Sequence, residues 1–168
     1  MQNVLIGTSG YYYKDWENYF YPIGTDKKDY LSFYSNYFET VEINSTYYGL
    51  PNPYFLLNMS KKVNKGFLFS IKAHSSMTHS RDAKEGDYNK FKESIVVLED
   101  NGFLASILFQ FPYSFKPSVE NIDYLKKIRD RLLDIDIAIE FRNIKWLSEK
   151  ILDLLKKFLK NKNIKNHE

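Results

Sequence analysis

The sequence predicts an α/β fold of the TIM-type (β/α) barrel kind, incomplete, with about five βα units of an eightfold barrel. Three observations lead there. Short segments rich in β-branched and aromatic residues alternate with amphipathic helical patterns, the signature of parallel strands joined by helical crossovers. Each strand segment has one bulky apolar face and one small or polar face. The polar members gather at the C-terminal ends of the strands, where a barrel opens its mouth. A doubly wound sheet is covered by helices on both faces and requires strands that are apolar almost throughout, which these are not.

The elements follow in order. The first strand is predicted at VLIG, residues 4–7, and the second at TVEIN, residues 40–44. FLFSIK (67–72), ASILFQF (105–111) and IDIAIEF (135–141) supply the third, fourth and fifth. In the second, Val41 and Ile43 oppose Glu42 and Asn44. The third sets Phe67, Phe69 and Ile71 against Leu68, Ser70 and Lys72, and the fourth sets Ile107, Phe109 and Phe111 against Ser106, Leu108 and Gln110. The fifth sets Ile137, Ile139 and Phe141 against Ala138, Glu140 and Arg142. Between the strands, residues 26–38 align Tyr30, Leu31, Tyr34 and Phe38, and residues 88–102 align Phe91, Ile95 and Leu98 before a stop at Gly102. Residues 118–133 begin at a Ser118 cap and align Ile122, Leu125, Ile128 and Leu132. A fourth amphipathic helix is read over residues 146–160, and 161–168 read as a disordered tail of a single partial-barrel domain spanning 1–168.

Composition limits the function classes. A chain with 43% hydrophobic and 27% charged residues is a globular protein rather than a disordered one. No stretch approaches the roughly 20 apolar residues of a membrane span, and the start MQNVLIGTSG has no secretory pattern. A cytoplasmic location and no membrane partner are therefore expected. The absence of Cys fits a reducing compartment and removes thiolate chemistry and Cys-based zinc sites. The net charge of +3 is a C-terminal property: residues 145–168 hold 7 Lys against 3 acids, while residues 1–144 hold 17 basic against 18 acidic side chains. A solvated face explains such a run better than a phosphate-binding tail.

Glu42, Asn44, Lys72, Gln110, Glu140 and Arg142 form the strongest constellation, because four strands would bring them to one face and one end. Buried charges are too costly to keep without partners. Lys72 and Arg142 are candidate anion ligands, Arg bidentate and Lys a point charge. Glu42 and Glu140 are the candidate catalytic acid or base, and Asn44 and Gln110 would orient polar groups. An internal ion-pair network is the competing structural explanation. The turn GTSG offers Gly7 and Ser9, with backbone N–H groups near the mouth, although such turns are common. His74 and His79 lie in the loop after the third strand; two His do not make a metal site, and no metal or cofactor is expected. Tyr11, Tyr12, Tyr13, Trp16, Tyr47, Tyr48 and Phe111 adjoin strand ends, where they either stack on a ligand or pack beneath the loops. Tyr13 and Trp146 join the candidate ligand-binding set.

The stretches IGTSGYYYKDW (6–16), FYP (20–22), FETVEINSTYYGLP (38–51), FSIKA (69–73), ILFQFP (107–112) and EFRNIKW (140–146) resemble, in order, the motifs of the YecE-like family, a domain of unknown function. Six ordered motifs across nearly the whole chain make the resemblance specific. It implies a TIM-type barrel of unassigned activity. Tyr11 stands where the family pattern has Trp, which keeps an aromatic. The family pattern also implies eight βα units, whereas this chain has five, and NKNIKNHE falls where a sixth strand would begin. Strands six to eight, with any site residues on them, are then missing, and another chain or self-association is expected to cover the open edge. The expected function is binding of an anionic, phosphate- or carboxylate-bearing ligand at the barrel mouth, with acid/base chemistry. The alternatives are a nucleic-acid-binding protein and a non-functional truncated relative.

Overall fold

The structure, a computed structural model, describes residues 4–132 and 135–159. Strands β1 (Gly7–Ser9), β2 (Thr40–Ile43), β3 (Leu68–Lys72), β4 (Leu104–Phe111) and β5 (Ile137–Phe141) form one parallel sheet in chain order. Order in space equal to order in sequence means that every crossover steps one place in the same direction. Right-handed crossovers then place all helices on one side. A doubly wound sheet would reverse direction partway. The helices are α1 (Tyr30–Tyr34), α2 (Pro53–Ser60), α3 (Ser75–Thr78), α4 (Glu85–Asp100), α5 (Val119–Arg131) and α6 (Glu149–Leu159).

The packing confirms the parity argument. Val41, Ile43, Phe69, Ile71, Ile107, Phe109 and Phe111 share one buried cluster with Leu31 and Tyr34 of α1, Leu56 and Met59 of α2, Phe91, Ile95 and Leu98 of α4, Leu125 and Ile128 of α5 and Leu155 of α6. Full burial of each such side chain contributes about 1.5–3 kcal/mol. The opposite face carries Glu42, Ser70, Lys72, Leu108, Gln110, Ala138 and Glu140, all at least partly exposed. Helices on one face only, over a singly wound parallel sheet, are the arrangement of a (β/α) barrel sector.

Three expectations are corrected. The first strand lies at Gly7–Ser9 rather than residues 4–7, and Val4 and Ile6 are 82% and 68% exposed. Hydrogen bonding and close approach fix it, not hydrophobicity. The buried Tyr34 hydroxyl accepts from Thr8 N–H at 2.9 Å and donates to the Thr40 carbonyl at 3.1 Å, bridging β1 to β2. A Cβ on Gly7 would fall 2.0 Å from Thr40 O, so only glycine permits the pairing Gly7↔Thr40. The helix expected over 26–38 contracts to a 3₁₀ turn, Lys27–Asp29, and the short α1, whose exit is held by Asn64 Nδ2 donating to Ser35 O at 3.1 Å. The last helix begins at Glu149, because Trp146 belongs to a separate 3₁₀ turn, Ile144–Leu147. The Ser118 cap stands as expected, its Oγ accepting from Asn121 N–H at 3.1 Å, and α4 stops at Gly102 with φ +71°. The expected tail at 161–168 lies outside the described residues.

Candidate functional site

The C-terminal ends of the strands carry two short hydrogen-bonded rows. The first joins β1 and β2: Asn44 Nδ2 donates to Ser9 Oγ at 2.7 Å, and Ser9 Oγ donates to Glu42 Oε1 at 2.9 Å. Parallel register sets Ser9 opposite Glu42, so the contact follows from strand pairing. The second crosses β3, β4 and β5. Lys72 Nζ donates to Gln110 Oε1 at 3.0 Å, Gln110 Nε2 donates to Glu140 Oε2 at 2.7 Å, and Arg142 Nε forms an ion pair with Glu140 Oε1 at 2.7 Å. Gln110 and Glu140 are register partners, which places amide against carboxylate. The chemistry also fixes the order: lysine only donates and a carboxylate only accepts, so the amide between them faces one way.

Between the rows lies a cavity of about 370 Å³ lined by Ser9, Asn44, Tyr47, Tyr48, Lys72, His79 and Gln110. Lys72 Nζ sits 5.5 Å from the centre of the Tyr47 ring, and His79 stands edge-on to that ring at 5.1 Å. The His79 imidazole is held below its ordinary pKa, first by burial, then by the charges of Lys72 and Arg81. Its Nδ1 lies 3.1 Å from Thr78 Oγ1. Asn44 Oδ1 is buried with no hydrogen-bond partner among the described residues.

The sequence-derived candidates divide accordingly. Ser9, Asn44, Lys72, Gln110 and His79 meet at the cavity. Glu42 and Glu140 are tied to it through Ser9 and Gln110. Arg142 is not among the lining residues; its side chain is 59% exposed and paired with Glu140. Lys72 and Arg142 therefore do not converge as an anion clamp. Gly7 lies at the start of β1, and the N–H groups of Thr8 and Gly10 are taken by Tyr34 Oη and Glu42 O, which leaves those two unavailable to an anion. Tyr13 adjoins the cluster, its hydroxyl donating to Ser9 O and its ring packing on Trp16. Trp146 stays away from it. That ring is fully buried, stacked 4.4 Å from Phe141, and donates through Nε1 to Phe115 O at 2.6 Å. His74 caps α3, accepting from Ser76 N–H at 3.2 Å. Among the described residues no group of three or more His, Asp or Glu is placed to hold a metal ion.

Sequence reasoning missed Thr46. Its buried hydroxyl lies 3.0 Å from Ile43 O and 2.6 Å from Lys72 O, tying the ends of β2 and β3 and setting the turn that presents Tyr47 and Tyr48. The hydroxyl pair in NST directly after a strand was the available signal. Of the loop aromatics, Tyr47 and Tyr48 line the cavity, whereas Tyr11 and Trp16 pack against the core and Phe111 lies within it.

The family described as "Protein of unknown function DUF72" matches residues 5–167. A curated relative, the UPF0759 protein YunF of Bacillus subtilis, is 32% identical over 165 residues, covering 94% of this chain and 57% of that protein. A crystal structure of a DUF72 family protein from Thermotoga maritima superimposes with a TM-score of 0.80 at 32% identity, over 92% of this chain and 61% of the other. One from Enterococcus faecalis does so with a TM-score of 0.76 at 28% identity, over 91% and 55%. The chain thus spans little more than half the length of the relatives it matches. No helix among the described residues is long and apolar enough to cross a membrane. Matched along nearly all of its own length by the family, and by relatives in both sequence and fold, the chain belongs to the DUF72 family of proteins of unknown function.

Proposed function

We propose that the cavity at the C-terminal ends of the strands binds an anionic ligand, phosphate- or carboxylate-bearing, with Lys72 as the charge that anchors it. One observation carries this reading. Lys72 is a half-buried cation in the cavity wall whose neighbours are a neutral amide and an aromatic face, with no carboxylate in ion-pair reach among the described residues. The carboxylate nearest along the row, Glu140, is already matched by Arg142. Desolvating an ammonium without an opposite charge is costly, and a bound anion offsets that cost. Arg142 serves the site by neutralising Glu140 rather than by gripping the ligand. Acid/base chemistry, where it occurs, falls to Glu42 through the Ser9 hydroxyl or to the neutral His79 imidazole.

The test is titration of inorganic phosphate into the wild-type chain and Lys72→Gln by calorimetry or NMR. A charge-assisted contact is worth about 1.5–3 kcal/mol, so the variant should bind at least about tenfold more weakly. Arg142→Lys should change affinity far less. Equal affinity in wild type and Lys72→Gln would overturn the proposal.

A further inference from the structure

Two features of the cavity narrow the ligand, given that an anion sits at Lys72. The first is the orphaned acceptor on Asn44. Glu42 only accepts and the Ser9 hydroxyl has one proton, so the row Asn44 Nδ2 to Ser9 Oγ to Glu42 Oε1 runs in one direction. Turning the amide over would face Oδ1 to an oxygen with no proton left to give. Asn44 Oδ1 is thus left needing a donor, and Gln110, the other amide in the wall, is used at both ends. A carboxylate or a phosphomonoester dianion turned to Lys72 supplies acceptors only. The donor has to come from another part of the same molecule.

The second feature is an aromatic wall. Tyr47 and Tyr48 meet edge to face, with ring centres 5.0 Å apart, and Tyr48 is 83% exposed where it lines the cavity. An open tyrosine face across from amide and hydroxyl groups suits a molecule with a C–H face on one side and hydroxyls on the other. A space of about 370 Å³ takes one small molecule of that kind.

We infer that the ligand is a small phosphorylated sugar or polyol, with its phosphate at Lys72, a hydroxyl donating to Asn44 Oδ1 and its carbon face on Tyr48. Oδ1 is buried beside the cavity that Asn44 lines, so this contact requires the amide to turn about its soft terminal torsion. This rests on the anion-binding role of Lys72, and the experiment separates the two. Ribose 5-phosphate, glucose 6-phosphate, ribose and inorganic phosphate are titrated singly into the purified chain by calorimetry. At least one sugar phosphate should bind about tenfold or more tightly than inorganic phosphate, a gap of about 1.4 kcal/mol. Tyr48→Ala and Asn44→Ala should each reduce sugar-phosphate affinity toward that of inorganic phosphate. Tyr48 is exposed, so its truncation spares the fold, and it decides the matter if Asn44→Ala unfolds. Equal affinity for phosphate and both sugar phosphates overturns this inference while leaving the anion site standing; no binding of any phosphate overturns both. A single-stranded oligonucleotide that binds more tightly than either sugar phosphate, with affinity falling steeply with salt, overturns it in favour of nucleic acid.

Discussion

His79 makes the cavity's charge measurable. With its native pKa depressed, the unfolded chain binds the proton more readily, so the stability tied to neutral His79 is full above the unfolded value of 6.5. That contribution is lost as pH falls from there through the lower native value. An anion beside Lys72 opposes that depression. In NMR titrations, phosphate should therefore move the His79 transition to higher pH, and Lys72→Gln should do the same without ligand; a transition unmoved by Lys72→Gln would mean that the two groups do not sense each other. The residues of this cluster were legible in the sequence to the extent that they follow strand alternation: Lys72, Gln110 and Glu140 sit where parity and register put them. Arg142 lies just past the end of β5, where alternation no longer governs direction, and it turns out to solvent. Trp146 carried the chemistry of a ligand-stacking ring in sequence, but packing against Phe141 and Phe115 decides its place.

Among the elements, β1 depends most on a single side-chain absence. Gly7→Ala would drive a methyl group into the Thr40 carbonyl, a clash with backbone that cannot rotate away. Overpacking of this sort costs about 1–3 kcal/mol. The expected result is a lower melting temperature together with faster amide exchange at Gly10, whose N–H donates to Glu42 O at 2.9 Å. An unchanged melting temperature and unchanged exchange at Gly10 would show that β1 is not held by this approach. The other four strands could be read within two residues, because each alternates between a helix-covered face and a polar one. β1 could not, since its three residues contribute almost nothing to the core and its partner is the hydroxyl of Tyr34, 26 residues away. The helix α2 was readable and was missed: Asn52 caps it, accepting from Tyr54 N–H at 2.9 Å, and Pro53 opens it.

Across the whole molecule, the sheet has two strands with one neighbour each among the described residues, β1 and β5. Unpaired edges of parallel strands template association. The purified chain is expected to associate with rising concentration in sedimentation or light scattering, with fast amide exchange along β5. A monomer at all concentrations with slow exchange throughout β5 would contradict this. The overall architecture was the most legible property, because one-sided helix coverage follows directly from alternation repeated in four strands. The shape of the cavity was not, since Thr46 and Tyr48 are placed by a turn whose geometry no periodicity encodes. That same alternation also bears on how such a protein changes over generations. Val41, Ile71, Phe109 and Ile139 face the helices, while Glu42, Lys72, Gln110 and Glu140, their immediate neighbours in the chain, face away. Substitutions on one side leave the packing of the other nearly untouched, so a lineage can change the side chains at the mouth while inheriting the packed face.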